Sequence, residues 1–113
     1  MKHTVSLKHN YEFRRLYRSG KSTVDAYIAV YYKKYRKSGN RLGITATKKI
    51  GCAVERNRAR RLIREAYRLC EDEFPTGLDI VVVARRKAVF ANMQTIRGSL
   101  RKALAQKRPP PEG

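Results

Sequence analysis

The sequence predicts an α+β fold: a small sheet packed with helices, in the order helix–strand–strand–helix–strand–helix. Three observations carry that prediction. The stretch around residues 53–73 repeats its apolar residues at helical spacing. Residues 26–35 and 41–47 are rich in strand formers and alternate. Residues 78–84, Leu-Asp-Ile-Val-Val-Val-Ala, form a nearly unbroken apolar run bounded by breakers, as expected of a central strand covered on both faces. A length of 113 residues with a 42% hydrophobic fraction allows one domain with one core.

The elements follow in order. Residues 1–9 are expected to be loosely ordered, with Leu7 and Val5 as anchors. Asn10 suits an N-cap, and Glu12 in the first turn suits the helix dipole. That helix runs to about Arg18 and stops at Gly20. Phe13, Leu16 and Tyr17 share one face of it, with Arg14, Arg15 and Arg18 off that face. The residues leave two readings of Phe13 and Tyr17: core aromatics, or a partly exposed pair that stacks on bases. In the first strand Ile28, Val30 and Tyr32 alternate with Tyr27, Ala29 and Tyr31. Tyrosines on a sheet surface suit proteins that stack unpaired bases. Residues 36–40 read as a hairpin turn into an antiparallel partner, where Leu42, Ile44 and Ala46 alternate with Gly43, Thr45 and Thr47. The small residues leave space for a shallow cleft.

Lys48 to Arg68 is the most informative stretch. It contains Arg56, Arg58, Arg60, Arg61, Arg64 and Arg68. On a helix, Ala59, Leu62, Ile63, Ala66, Tyr67, Leu69 and Cys70 fall on one side. Asn57, Arg60, Arg61, Arg64 and Arg68 fall on the other, within an arc of roughly 100°. Like charges at i,i+4 weaken a free helix, and only Glu65 dilutes this face. A polyanion partner accounts for it, because arginine binds phosphate bidentately and cannot be discharged. The acidic cluster Glu71, Asp72 and Glu73 sits where the helix dipole disfavours it, and is expected to keep nucleic acid from that end. Asp79 is expected at a strand edge. Asn92 caps a last helix with Met93, Ile96, Leu100, Ala103 and Leu104 as its apolar stripe and Arg97, Arg101, Lys102 and Lys107 as its basic residues. The fold therefore reads as one domain over 1–107, followed by a disordered Pro-rich tail over 108–113.

Charge narrows the partner. Lys and Arg number 27 against 9 Asp and Glu, a formal +18. Such a chain binds polyanions with steeply salt-dependent affinity. Nucleic acid comes first. A membrane is disfavoured, because no apolar run reaches the ~18–20 residues of a span and no long basic amphipathic helix with bulky exposed apolars stands out. Without an apolar leader at the N-terminus, a cytoplasmic protein is expected. Cys52 and Cys70 are too far apart, and too poor in histidine neighbours, for a zinc site. Cys70 reads as core, Cys52 as a turn residue. His3 and His9 are isolated. Neither the converging carboxylates of a metal nuclease nor paired histidines are present. No catalytic set, metal site or obligate protein partner is therefore expected.

Lys-Lys-Ile-Gly-x-Ala-Val-x-Arg-Asn-Arg-x-Arg-Arg-x-x-Arg-Glu, unbroken from Lys48 to Glu65, resembles the signature of the bacterial ribonuclease P protein subunit. The order of elements fits over about residues 4–107. The resemblance implies a ribosomal-protein-like sandwich, a third short strand near 48–50, and a left-handed β-α-β crossover where general rules favour a right-handed one. It implies that a catalytic RNA with its own magnesium ions cuts the 5′ leader from precursor tRNA, while the protein binds both RNAs. Lys48, Lys49, Arg56, Asn57, Arg58, Arg60, Arg61 and Arg64 match the motif and are implied to face the catalytic RNA, with Arg68 extending that face. Phe13, Tyr17 and Tyr31 occupy the implied leader cleft. The rival reading is a non-enzymatic RNA-binding or ribosomal-type protein, which composition and fold alone do not separate from this one. A DNA-binding helix would need a dimerisation element or a helix-turn-helix pair, and neither is visible.

Overall fold

A computed structural model describes residues 4–35 and 39–105. Its sheet has five strands in the order β1-β4-β5-β3-β2, comprising β1 (Thr4–Ser6), β2 (Lys21–Val24), β3 (Ile28–Lys34), β4 (Asn40–Thr45) and β5 (Leu78–Ala84). The helices are α1 (Asn10–Ser19), α2 (Ala53–Cys70) and α3 (Met93–Leu104). The fold is α+β with a mixed sheet: β4 runs parallel to both β1 and β5, while β3 is antiparallel to β2 and β5.

β5 is the central strand, as its apolar run requires. Ile80 and Val82 point into the main core with Ile28, Val30 and Leu42, beneath α2 and α3. Val81 points the other way, into a smaller cluster with Leu7 and Leu16, packed by Phe13, Tyr31, Tyr35 and Val83. The sheet thus separates α1 from α2 and α3. Every second residue of β5 serves a different layer.

Several expectations are corrected. Thr4–Ser6 is not loose but pairs along the edge of β4, and Val5 is no anchor, at 65% exposed. A strand of three residues on a sheet edge carries no periodicity to read. β2 was not expected either. α1 begins one residue earlier than a cap at Asn10 would have it: Asn10 is already helical, and His9 holds the cap position without a side-chain cap bond. The expected β3–β4 hairpin pair does not form, because β5 is inserted between those strands. A central strand needs a hydrogen-bonded neighbour along each edge for its backbone groups, and local alternation cannot reveal which strands those are. Residues 36–38 of the expected turn lie outside the described residues, as do Lys107 and the tail. Tyr27 precedes β3 and packs on the main core, not on the Tyr31 side. Lys48–Ile50 is a 3₁₀ turn, not a third short strand.

α2 starts after Gly51, whose φ of 153° favours glycine and whose position leaves no room for a Cβ beside Glu55 Oε1. The Cys52 N–H donates to that same Glu55 oxygen at 2.9 Å, a carboxylate satisfying a helix-start donor. This hydrogen bond is the main cause holding the Glu55 carboxyl below its ordinary range. Ala59, Ile63, Ala66, Tyr67 and Cys70 are buried, but Leu69 is 47% exposed, one position beyond the buried stripe. Burial pushes the Cys70 thiol up to about 11, so it stays a neutral core residue.

The acidic residues 71–73 are part of the architecture. Glu71 is buried and accepts a hydrogen bond from Thr4 of β1, and Glu73 pairs with Arg101 of α3 at 2.9 Å. A role in repelling nucleic acid is not needed to explain either. Asp79 is not at a strand edge: it is fully buried in β5 and bonded by Arg41 and Arg15. Asn92 caps α3 as expected, accepting from Thr95 N–H at 2.9 Å.

Candidate nucleic-acid interfaces

Two surfaces emerge. The first is the outer face of α2 with the 3₁₀ turn before it. Lys48, Lys49, Asn57, Arg58, Arg61 and Arg64 are exposed. Arg60 donates to Asn57 Oδ1 at 2.5 Å and to the Ala46 carbonyl at 3.4 Å, which fixes both side chains against the end of β4. Arg56 is half-buried, its Nε without a hydrogen-bond partner among the described residues. Arg68 differs from the rest, since Glu65 one turn back accepts its guanidinium and raises its pKa above the ordinary arginine value. Arg58, Arg61 and Arg64 have no ion pair among the described residues. Two hollows border this face: about 260 Å³ between Arg58, Arg61, Leu62 and Met93, and about 120 Å³ between Arg64 and Thr4–Ser6. The sequence reveals the arginines but not these hollows, whose far walls come from distant chain segments.

The second surface lies between α1 and the sheet. A hollow of about 330 Å³ is lined by Asn10, Phe13, Arg14, Tyr17 and Thr45. Tyr17 is 43% exposed, and its ring meets Tyr31 edge-on with centroids 5.0 Å apart. Phe13 lies directly over Gly43, where a Cβ would sit 2.5 Å from the ring. The structure therefore brings Phe13, Tyr17 and Tyr31 together, half in the core and half out of it, so both readings of the pair hold in part. Asn10, Arg14 and Thr45 do not stand out in the sequence as members of this site. Arg14 follows Phe13 in the chain, and Thr45 reads there only as a small residue.

Beneath α1 lies a charged network. Arg41 of β4 pairs with Asp79 through two hydrogen bonds, at 2.9 and 2.6 Å, and also with Glu12 of α1. Arg15 of α1 reaches Asp79 at 3.3 Å and rests over the Tyr35 ring at 4.0 Å. Two arginines and two carboxylates thus cancel. The Asp79 carboxylate is the main reason Arg41 is held above its ordinary pKa. The network fixes how α1 is rotated over the sheet, and so which aromatics face the hollow.

No group of three or more His, Cys, Asp or Glu among the described residues is placed to hold a metal ion. No helix among them is long and apolar enough to cross a membrane.

A family model for ribonuclease P matches residues 1–108. The chain belongs to the ribonuclease P protein family. It is 44% identical over 100 residues to the ribonuclease P protein component of Thermoanaerobacter sp. (strain X514), covering 88% of this chain and 86% of the relative. Against the component from Clostridioides difficile (strain 630) the figure is 42% over 99 residues, covering 87% of each chain. Among solved structures, the Staphylococcus aureus RNase P protein superposes with a TM-score of 0.75 at 34% identity, covering 86% of this chain and 89% of that one. The Thermotoga maritima RNase P protein gives 0.76 at 32%, covering 86% and 92%. The chain is a protein subunit of ribonuclease P, the ribonucleoprotein endoribonuclease that processes the 5′ leaders of precursor tRNA.

Proposed function

We propose that this ribonuclease P protein works through two adjoining RNA surfaces. Lys48, Lys49, Arg56, Asn57, Arg58, Arg60, Arg61 and Arg64 lie against the catalytic RNA, with Arg68 at the margin. Phe13, Tyr17 and Tyr31 hold the leader of the precursor tRNA. The observation that carries this reading is at the end of β4. Thr45 lines the aromatic hollow, while the carbonyl of the next residue, Ala46, accepts from Arg60 of the basic helix. A strand leaving an RNA bound on α2 therefore has a short path to the aromatics. Stacking contributes roughly 1–3 kcal/mol per base with little sequence preference, which suits leaders of varied sequence.

In this reading the chemistry belongs to the RNA subunit and its magnesium, and the protein alone binds no metal. Its carboxylates have structural partners: Glu12 and Asp79 bond Arg41, Glu65 bonds Arg68, and Glu73 bonds Arg101. The working unit is residues 1–107, acting in the cytoplasm without a further protein partner. The family resemblance also assigns the parallel β4–α2–β5 crossover a left hand.

The test is cleavage of a precursor tRNA by the protein alone, by a bacterial ribonuclease P RNA alone in moderate magnesium, and by both. Efficient cleavage at the mature 5′ end only in the mixture supports the reading, and cleavage by the protein alone overturns it. Changing Arg58, Arg61 and Arg64 together to Gln should weaken assembly with the RNA. It should also flatten the log–log salt dependence by about 2–3, at roughly 0.7–0.9 for each phosphate that is no longer neutralised. An unchanged slope would remove α2 from the interface.

A further inference from the structure

The outer side of α1 carries a second row of residues, of which only Arg14 also lines the aromatic hollow. Tyr11, Arg14, Arg15 and Arg18 follow i, i+3, i+4, i+7 spacing and so line up along one side of the helix. With Ser19 they enclose a hollow of about 300 Å³. Arg14 lines this hollow and also the one that contains Phe13 and Tyr17. The two are therefore neighbours, with Arg14 as the residue they share.

Charge is unbalanced here. Arg15 is held by Asp79 and lies over Tyr35. Glu12, in the same helix, is buried and paired with Arg41. Arg14 and Arg18 are exposed and have no ion pair among the described residues. They stand at i,i+4, where like charges repel, so an anion bound between them would relieve the helix. Tyr11 is 64% exposed, its ring stacked on His9 with centroids 5.5 Å apart and planes 17° apart. A flat aromatic beside paired arginines has the makings of a single-strand site: a stacking face with phosphate ligands next to it.

We propose that the precursor-tRNA leader continues beyond the aromatic hollow onto this outer face of α1, where Arg14 and Arg18 take its phosphates and Tyr11 stacks a base. The proposal rests on the reading of the hollow as the leader site. The occupant is single-stranded RNA, because the face is continuous with that hollow through Arg14 and has the opposite charge. Its consequence is that affinity depends on leader length: a leader that ends in the hollow gains nothing from this face, and a longer one does.

The test is the affinity of the reconstituted protein–RNA enzyme for precursor tRNAs that differ only in leader length, from a leader that ends in the hollow to one long enough to cross α1. For the longest leader, Arg18→Gln combined with Tyr11→Ala should weaken binding about ten-fold or more, the scale of one exposed charge contact plus one stack. The loss should shrink to nothing for the shortest. Phe13→Ala should weaken binding across the series. If Phe13→Ala has its effect and the Arg18/Tyr11 variant binds long leaders like the parent, the extension is wrong and the hollow stands. If Phe13→Ala leaves the whole series unchanged, the leader reading itself fails. A loss of equal size at every leader length would assign these residues to the catalytic RNA and overturn the proposal. Matching circular dichroism spectra for parent and variants show that the fold is intact.

Discussion

Asp79 shows how much one residue's meaning depends on its neighbours. In the sequence it interrupts an apolar run, and a carboxylate there reads as an edge residue. In the fold it is fully buried and accepts bonds from Arg41 at 2.9 and 2.6 Å and from Arg15 at 3.3 Å. Removing one partner of a fully buried ion pair typically costs about 3–5 kcal/mol; here Arg41 keeps Glu12 and Arg15 is partly exposed, which lowers the expected cost to about 2–3 kcal/mol. Asp79→Ala is therefore expected to lower unfolding free energy by about that much in a denaturant titration, and a loss below about 1 kcal/mol would show that the network is not needed. Asn40 is a second such residue. Its Oδ1 accepts the Leu78 N–H at 2.9 Å and its amide donates to the Pro75 carbonyl at 3.1 Å, so a residue that reads as part of a turn ties β4 to β5.

At the scale of elements, α1 is held differently from α2. α2 is fixed by an apolar face of Ala59, Ile63, Ala66, Tyr67 and Cys70 on the main core. α1 buries Leu16 fully, and beyond it depends on Phe13 lying over Gly43 and on the Glu12 and Arg15 ion pairs. The seating of α1 is thus sensitive to Gly43. In Gly43→Ala the new methyl would meet the Phe13 ring at 2.5 Å. Overpacking of this kind costs about 1–3 kcal/mol. The expected outcome is a protein that still folds, with α1 displaced and leader affinity reduced. A variant with parent stability and parent leader affinity would show that Phe13 has another place to go.

At the scale of the whole molecule, net charge dominates. A formal +18 on 113 residues opposes compaction, and the ion pairs among the described residues use few of those cations. Anions that bind the native arginine faces should stabilise it by mass action. Thermal melts with and without sulfate should show the midpoint rise with sulfate, by more than an equal ionic strength of chloride gives. An unchanged midpoint would mean that the cationic faces are not built as anion sites. The same charge makes RNA affinity fall steeply with salt.

Much is legible in the chain itself. Helical spacing determines the two faces of α2, because amphipathicity is local and repeats within a turn. The uninterrupted apolar residues of 78–84 determine a central strand. The Lys48–Glu65 string points to the family, and with it Phe13, Tyr17 and Tyr31 fall into one group. What the tertiary structure decided is non-local. Strand pairing across a sheet is a choice among distant partners, so β5 could displace the expected β3–β4 hairpin and β1 could join an edge with no pattern of its own. Charge pairing is likewise non-local: whether Glu71 and Asp79 face solvent or partners depends on where Thr4, Arg41 and Arg15 arrive. Periodicity encodes which face of an element is buried. Only the packed fold determines which element covers it and which charges meet there.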